Sequence, residues 1–183
     1  MVGALEMSSF RTKTDSPHDP DKAYVVALRR VGRRESSARE LQDYLSQRGF
    51  SEQIVAFTVK RMVAERLVDD ARFTRMLIRQ EASMGRGAVR IRLKLKQKGV
   101  DLGVSEVRSE AEELTGVPEL EMAKDLLARK FGSLQLEDSG EARKEYEERR
   151  AILARAYQYL IRRGFSHEVA RKALEALKPG LKS

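Results

Sequence analysis

The segment LQDYLSQRGFSEQIVAFTVKRM at residues 41–62 occurs twice more along the chain in altered form. The later copies read IRLKLKQKGVDLGVSEVRSEAE at residues 91–112 and AYQYLIRRGFSHEVARKALEAL at residues 156–177. Aligned on their glycines without a gap, the copies share a leucine, a base, the glycine and a large apolar residue. These are Leu45, Arg48, Gly49 and Phe50; Leu95, Lys98, Gly99 and Val100; Leu160, Arg163, Gly164 and Phe165. Repetition of this kind predicts a tandem array of similar modules.

The residues after each glycine are typical of the start of a new helix. Two positions after the glycine comes a residue fit to cap a helix, and five positions after it comes a β-branched residue that we expect in a core. The capping residues are Ser51, Asp101 and Ser166, and the β-branched residues are Ile54, Val104 and Val169. Each copy therefore predicts one helix that ends at its glycine and another that begins just beyond it.

Further helix-start signals lie outside the repeated segments. Asp19-Pro20 is a capping residue followed by proline at the first helical position, and Ser37 with Glu40 forms a capping box. Asp69-Asp70 caps another helix. In the second copy we expect the last helix from about Asp101 to Leu114, weakened at Gly103 by about 1 kcal/mol relative to alanine.

The sequence has no sustained alternation of apolar and polar residues of the kind that indicates β-strands. It therefore predicts an all-α fold built from three tandem three-helix modules. We expect a disordered tail over residues 1–18, a first module over 19–68, a second over 69–116 and a third over 117–178. The third contains a charged insertion at about 132–147, which lengthens the spacing between its glycine and the preceding one.

Composition restricts the class of protein. A net charge of +8 and a pI near 9.8 favour a polyanionic partner, although charge alone is also found in basic proteins without one. The chain has no cysteine and no apolar run of membrane-spanning length, so we expect a cytoplasmic protein with no membrane contact. His18 and His167 are too few for a metal cluster or a triad. We expect no enzyme activity, no cofactor and no metal, and a monomer, since an array needs no second copy.

A basic surface is the strongest candidate for function. Residues 86–98 contain six bases and no acid. Helical periodicity places Ala88, Ile91 and Leu95 on the core face, with bases on both sides of it. The candidate contact residues are Arg72, Arg75, Arg79, Arg86, Arg90, Arg92, Lys94 and Lys96. Such a cluster neutralises phosphates or acidic loops, while the alternative is a solvated helix face.

Two apolar residues share the helix with these bases. Val89 and Leu93 lie four positions apart on the side opposite Ile91. They form either a protein contact or a packing surface for a neighbouring module, and the sequence leaves both open. The turn at residues 84–87 precedes the helix N-terminus, where free N–H groups attract anions, but it lacks the lysine and hydroxyl residue of a nucleotide loop.

The order and spacing of these motifs resemble the RecX family of bacterial proteins that act on the RecA recombinase. The resemblance covers roughly residues 22–178 and rests on the helix ends at Gly49 and Gly164, on Leu67 to Asp70 with Phe73, and on Gly85-Arg86-Gly87 leading to Gly99. It implies a bent, elongated array that binds along the groove of the RecA–DNA filament. It also implies inhibition of RecA's ATPase, strand-exchange and co-protease activities. We also expect a weaker electrostatic contact to single- and double-stranded DNA.

The alternative is a helix-turn-helix-like protein that binds nucleic acid directly. Against it, the second helices of the modules differ in charge, and none of their positions carries a shared Asn or Gln suited to base edges.

Overall fold

The structure, a computed structural model, describes residues 14–132 and 142–177. Within those ranges it consists of helices and turns without a β-strand, which confirms the all-α prediction. The helices are α1 (Pro20–Val31), α2 (Ala38–Gln47), α3 (Glu52–Ala64), α4 (Asp70–Ser83), α5 (Ala88–Gln97), α6 (Val104–Thr115), α7 (Glu119–Phe131), α8 (Ala142–Arg163) and α9 (His167–Leu177). Residues 1–13 of the predicted tail and 133–141 of the predicted insertion lie outside the described residues.

Contacts between residues divide the chain into two compact units, one ending at Phe73 and the other beginning at Thr74. The first unit contains α1, α2 and α3, and the division falls inside α4. The second unit contains most of α4 and the five helices that follow. The three modules predicted from the sequence are thus grouped into two compact units by the contacts between residues.

The repeated leucine, glycine and apolar residue are parts of one helix-ending motif. Each glycine has a left-handed backbone: φ is 88° at Gly49, 84° at Gly99 and 88° at Gly164. The N–H group of the next residue then reaches back to the leucine carbonyl, with N···O distances of 3.3 Å at Phe50, 3.0 Å at Val100 and 3.1 Å at Phe165. This is the bond of a Schellman motif, which joins its two apolar residues across the end of the helix. The leucine before each glycine and the phenylalanine or valine after it therefore recur because both close the same turn.

Two of the predicted caps of the first unit are confirmed, whereas Ser51 occupies the N-cap position of α3 without a side-chain hydrogen bond to that helix. Asp19 accepts a hydrogen bond from the Lys22 N–H at 2.9 Å, and the Ser37 hydroxyl accepts one from the Glu40 N–H at 3.1 Å. They orient the amphipathic helices so that their apolar faces meet. The resulting core consists of Ala23, Ala27, Leu41, Leu45, Phe50, Val55, Met62 and Val68.

The segment before α1 is also bonded to this unit. The Thr14 N–H donates to the Arg48 carbonyl at 2.7 Å, and the Ser51 N–H donates to the Pro17 carbonyl at 2.9 Å. Residues 14–17 thereby satisfy backbone groups around the turn between α2 and α3.

The prediction for α6 was wrong at its start. The helix begins at Val104, and Gly103 is its N-cap residue instead of an interruption within it. The Glu106 carboxylate accepts a hydrogen bond from the Gly103 N–H at 2.6 Å. Because α6 begins two residues later relative to its glycine than α3 does, Val104 is only half-buried and Val107 is the residue with no exposed surface. The ungapped alignment fails at this point.

Candidate nucleic-acid and protein interface

Helix α5 carries four of the eight basic candidate contact residues, together with Val89 and Leu93. Its buried residues are Ala88, Ile91 and Leu95, as the periodicity predicts. Arg90 and Lys96 are exposed, while Arg86, Arg92 and Lys94 are half-buried. The helix therefore presents bases around an apolar stripe, but these bases differ in how far they reach solvent.

A buried carboxylate neutralises part of this surface. Glu81 of α4 is 2% exposed, and its two carboxylate oxygens lie 2.5 Å from Lys94 Nζ and 3.2 Å from Arg86 Nε. The absence of acids between residues 86 and 98 is thus offset by an acid from the preceding helix. Arg86 and Lys94 connect this segment to α4, so two of the candidate bases are already paired with a carboxylate within the protein.

Backbone carbonyls accept hydrogen bonds from two further arginines of α5. Arg90 Nη1 donates to the Arg162 carbonyl at 3.3 Å, and Arg92 Nε donates to the Leu102 carbonyl at 2.9 Å. Arg92 also lies 3.9 Å from the exposed Asp101 carboxylate. A carbonyl has no net charge and does not neutralise the guanidinium group. Arg90 therefore remains available to an anion, whereas Arg86 and Lys94 are paired with Glu81.

The arginines of α4 have three different environments. Arg72 belongs to the first unit, where it donates to Glu35 at 2.8 Å, and this carboxylate raises the pKa of the Arg72 guanidinium. Arg75 lies 3.3 Å from Glu110 and 3.4 Å from Glu113 on α6. Arg79 is exposed, and no carboxylate of the described residues pairs with it. The three arginines therefore do not form one patch of unpaired positive charge.

The two apolar candidates also differ. Leu93 is 53% exposed, whereas Val89 is half-buried and its N–H donates to the Gly164 carbonyl at 3.1 Å. Val89 lies where α5 meets the end of α8, and Leu93 faces solvent one turn further along. Of the pair, Leu93 is the residue that a partner can reach.

The N-terminus of α5 is not an anion site, because its N–H groups are already bonded. Gly87 and Val89 donate to the Arg163 and Gly164 carbonyls at 3.0 and 3.1 Å. The Ala88 N–H donates to the buried Glu119 carboxylate at 2.7 Å, and Arg108 Nε reaches the same carboxylate at 2.6 Å. The second and third modules supply each other's helix caps.

Arg163 completes this contact from the other side. Its guanidinium donates to the carbonyls of Met84 at 2.9 Å and Gly85 at 3.3 Å, which follow the end of α4. Arg163 thereby satisfies carbonyl groups at the end of a helix other than its own.

Sequence reasoning missed both buried glutamates, although Glu81 had a detectable signal. Glu81 lies four positions after Leu77 and three after Ile78, so it falls on the same face of α4 as these core residues. A carboxylate on an apolar face is stable only with a partner, and this argument would have directed attention to the bases of α5.

Other kinds of site find no support in residues 14–132 and 142–177. No group of three or more His, Asp or Glu side chains there is arranged to hold a metal ion. No helix in the same ranges is long and apolar enough to cross a membrane.

Three consecutive three-helix domains, with exposed cations and an exposed leucine on the second, define a tandem-repeat helical protein. Family models described as RecX first, second and third three-helix domains match residues 23–62, 69–104 and 118–174 in that order. The chain belongs to the RecX family.

Individual relatives agree with this assignment. "Regulatory protein RecX" of Halorhodospira halophila is 35% identical over 152 residues, which are 82% of this chain and 85% of the relative. The protein of the same name from Stenotrophomonas maltophilia is 32% identical over 147 residues, covering 80% and 82%. A crystal structure of RecX from Lactobacillus salivarius matches with a TM-score of 0.65 at 20% identity, over 87% of this chain and 97% of that one. These relatives are named regulatory proteins, and the structural match supports the fold.

Proposed function

We propose that this protein is a non-catalytic negative regulator of RecA, which binds along the groove of the RecA–DNA filament. Its binding inhibits RecA's ATPase, strand-exchange and co-protease activities. The observation that carries the proposal is the match to all three RecX domains in order. We further propose that it acts in the cytoplasm as a monomer, with weaker electrostatic contact to free single- and double-stranded DNA.

The exposed residues of the second unit are consistent with a partner made of protein and nucleic acid. Arg79, Arg90 and Lys96 keep their charge available to phosphates or carboxylates. Leu93 adds an apolar contact, which phosphates cannot use but a protein surface can. Several such contacts on linked domains strengthen one another through effective concentration.

Inhibition requires that binding favour one state of the filament. A regulator that binds the slowly hydrolysing state more tightly shifts the population toward it, whereas equal affinity for both states changes nothing. Occupation of the groove that incoming DNA uses would separately inhibit strand exchange.

Direct reading of DNA as a helix-turn-helix protein is disfavoured by the structure. Recognition helices contact bases with residues at their N-termini, and the N-terminus of α5 is covered by the third module. Helix α6, which follows the turn, carries four glutamates and one arginine, and Arg108 is held by Glu119. Neither α5 nor α6 is therefore prepared to enter a DNA groove.

The decisive experiment is the DNA-dependent ATPase of RecA on single-stranded DNA, titrated with this protein far below the RecA concentration. We expect inhibition at substoichiometric ratios that added free DNA does not relieve. No inhibition, or inhibition that disappears with excess DNA, would show that the protein does not act on the filament.

A further inference from the structure

The first unit contains a concave arginine cluster that lies apart from the candidate residues of α4 and α5. A cavity of about 380 Å³ opens beside the ends of α1 and α2. Five of its lining residues are arginines, and none is acidic. They are Arg29, Arg30, Arg33, Arg34 and Arg48, which line the cavity together with Tyr44 and which we call the arginine basin.

Two of these arginines build the floor of the basin. The guanidinium carbons of Arg30 and Arg48 lie 4.9 and 5.1 Å from the centre of the Tyr44 ring. Such cation–π contacts hold flat guanidinium groups in place and reduce the entropy lost when they bind a ligand. Both residues are half-buried, so they fix the shape of the cavity.

The remaining arginines supply its accessible charge. Arg29, Arg33 and Arg34 are exposed, and among the described carboxylates only Glu40 pairs with any of them, at 3.1 Å from Arg34. Arginines near helix ends often compensate the helix dipole, and this accounts for Arg29 and Arg30 in the last turn of α1. It does not account for Arg33 and Arg34, which lie beyond the helix.

We propose that the arginine basin binds the phosphodiester backbone of a nucleic-acid strand. Guanidinium groups bind phosphate oxygens in pairs, and successive phosphates of one strand can meet several arginines together. An acidic protein segment is a poorer fit, because protein contacts need an apolar centre and Val26 is the sole aliphatic residue lining the basin. The proposal does not depend on the regulation of RecA.

The test compares two double variants of the full-length protein that change net charge equally. Arg29→Ala with Arg33→Ala removes two exposed basin arginines, and Arg39→Ala with Lys60→Ala removes two exposed bases elsewhere in the unit. Binding of a fluorescent single-stranded thymidine oligonucleotide is measured by anisotropy without RecA, over a range of salt concentrations. Circular dichroism checks that both variants are folded.

We expect the basin variant to bind at least about tenfold more weakly at low salt. Its salt slope should fall by about 1.4, since each phosphate contact on a single strand contributes about 0.7. The control variant should bind within about twofold of the unchanged protein. Equal losses in both variants, or no loss in either, would overturn the proposal, as would equally strong displacement of the oligonucleotide by polyglutamate. If the basin variant is unfolded, Arg33→Gln alone is tested against the same expectation of a weaker affinity.

Discussion

Gly87 at the start of α5 lies in backbone contact with Gly164 at the end of α8. A Cβ atom added to Gly87 would be 2.4 Å from the Gly164 carbonyl oxygen, and one added to Gly164 would be 2.2 Å from Arg90 Cβ. The Gly87 and Val89 N–H groups use this proximity to donate to the carbonyls at the end of α8. The glycine that ends a helix in the third module therefore also caps a helix in the second.

Gly87→Ala should separate these two backbones and destabilise the second unit by about 1–3 kcal/mol, because the neighbouring atoms are backbone and cannot move aside independently. Gly103→Ala is the matched control. Both glycines are extended N-cap residues, with φ of −76° and −73°, but Gly103 faces the flexible end of Glu106. Urea unfolding of both variants measures the difference, and equal losses would mean that close approach is not the reason for glycine.

The sequence could predict local features of the fold but not contacts between distant segments. Caps such as Asp19 and Ser37 and the turn at Gly49 depend on neighbours within a few residues, so local patterns identify them. The contact of Gly87 with Gly164 joins distant segments, and no local pattern reports it. The candidate surface shows the same limit: its composition is local, whereas the pairing of Arg86 and Lys94 with Glu81 is tertiary.

Glu81→Gln should destabilise the protein by about 1.5–3 kcal/mol, since it removes the charge that Arg86 and Lys94 share. Asp101→Asn is the comparison, because the Asp101 side chain is 76% exposed and only approaches Arg92. Its effect should stay within about 0.5 kcal/mol. Chemical denaturation at neutral pH checks both values. A neutral result for Glu81→Gln would mean that the ion pairs merely balance the cost of burying the carboxylate.

Asp69 should make the stability of the first unit vary with pH in the acid range. The N–H groups of Arg72 and Ala71 donate to its carboxylate and hold the pKa of Asp69 below its ordinary value of 3.8. A carboxylate whose pKa is lower in the folded than in the unfolded state stabilises the folded protein. This stabilisation is complete at pH values above the unfolded-state pKa and is lost as the pH falls through the folded-state pKa. Asp69→Ala should therefore melt at a lower temperature than the unchanged protein at pH 7.

That difference in melting temperature should shrink as the pH falls below 3.8. Asp69→Asn keeps an oxygen that can accept the cap bonds but cannot titrate, so its melting temperature should lack this pH-dependent component. Thermal melts followed by circular dichroism between pH 7 and pH 2 test both expectations. An Asp69→Ala deficit that stays constant over this range would show that the charge of the carboxylate adds nothing to its role as a cap.

Leu93→Ser and Val89→Ser should separate partner contact from internal packing. Leu93 is 53% exposed, so its replacement should change stability by less than about 0.5 kcal/mol while weakening the proposed inhibition of the RecA ATPase. Val89 is half-buried beside the turn at Gly164, so its replacement should lower stability first. Val63→Ser, at an exposed apolar residue of α3 in the first unit, controls for the loss of a surface side chain.

Denaturant unfolding and the ATPase titration are measured on the same three proteins, so that each loss of inhibition is compared with its loss of stability. A folded Leu93→Ser protein that inhibits as strongly as the unchanged protein would remove Leu93 from the proposed contact. If Val63→Ser weakened inhibition as much as Leu93→Ser, the effect would come from general surface hydrophobicity. Loss at Leu93 alone would place an apolar contact on α5, among the bases that remain available to an anion.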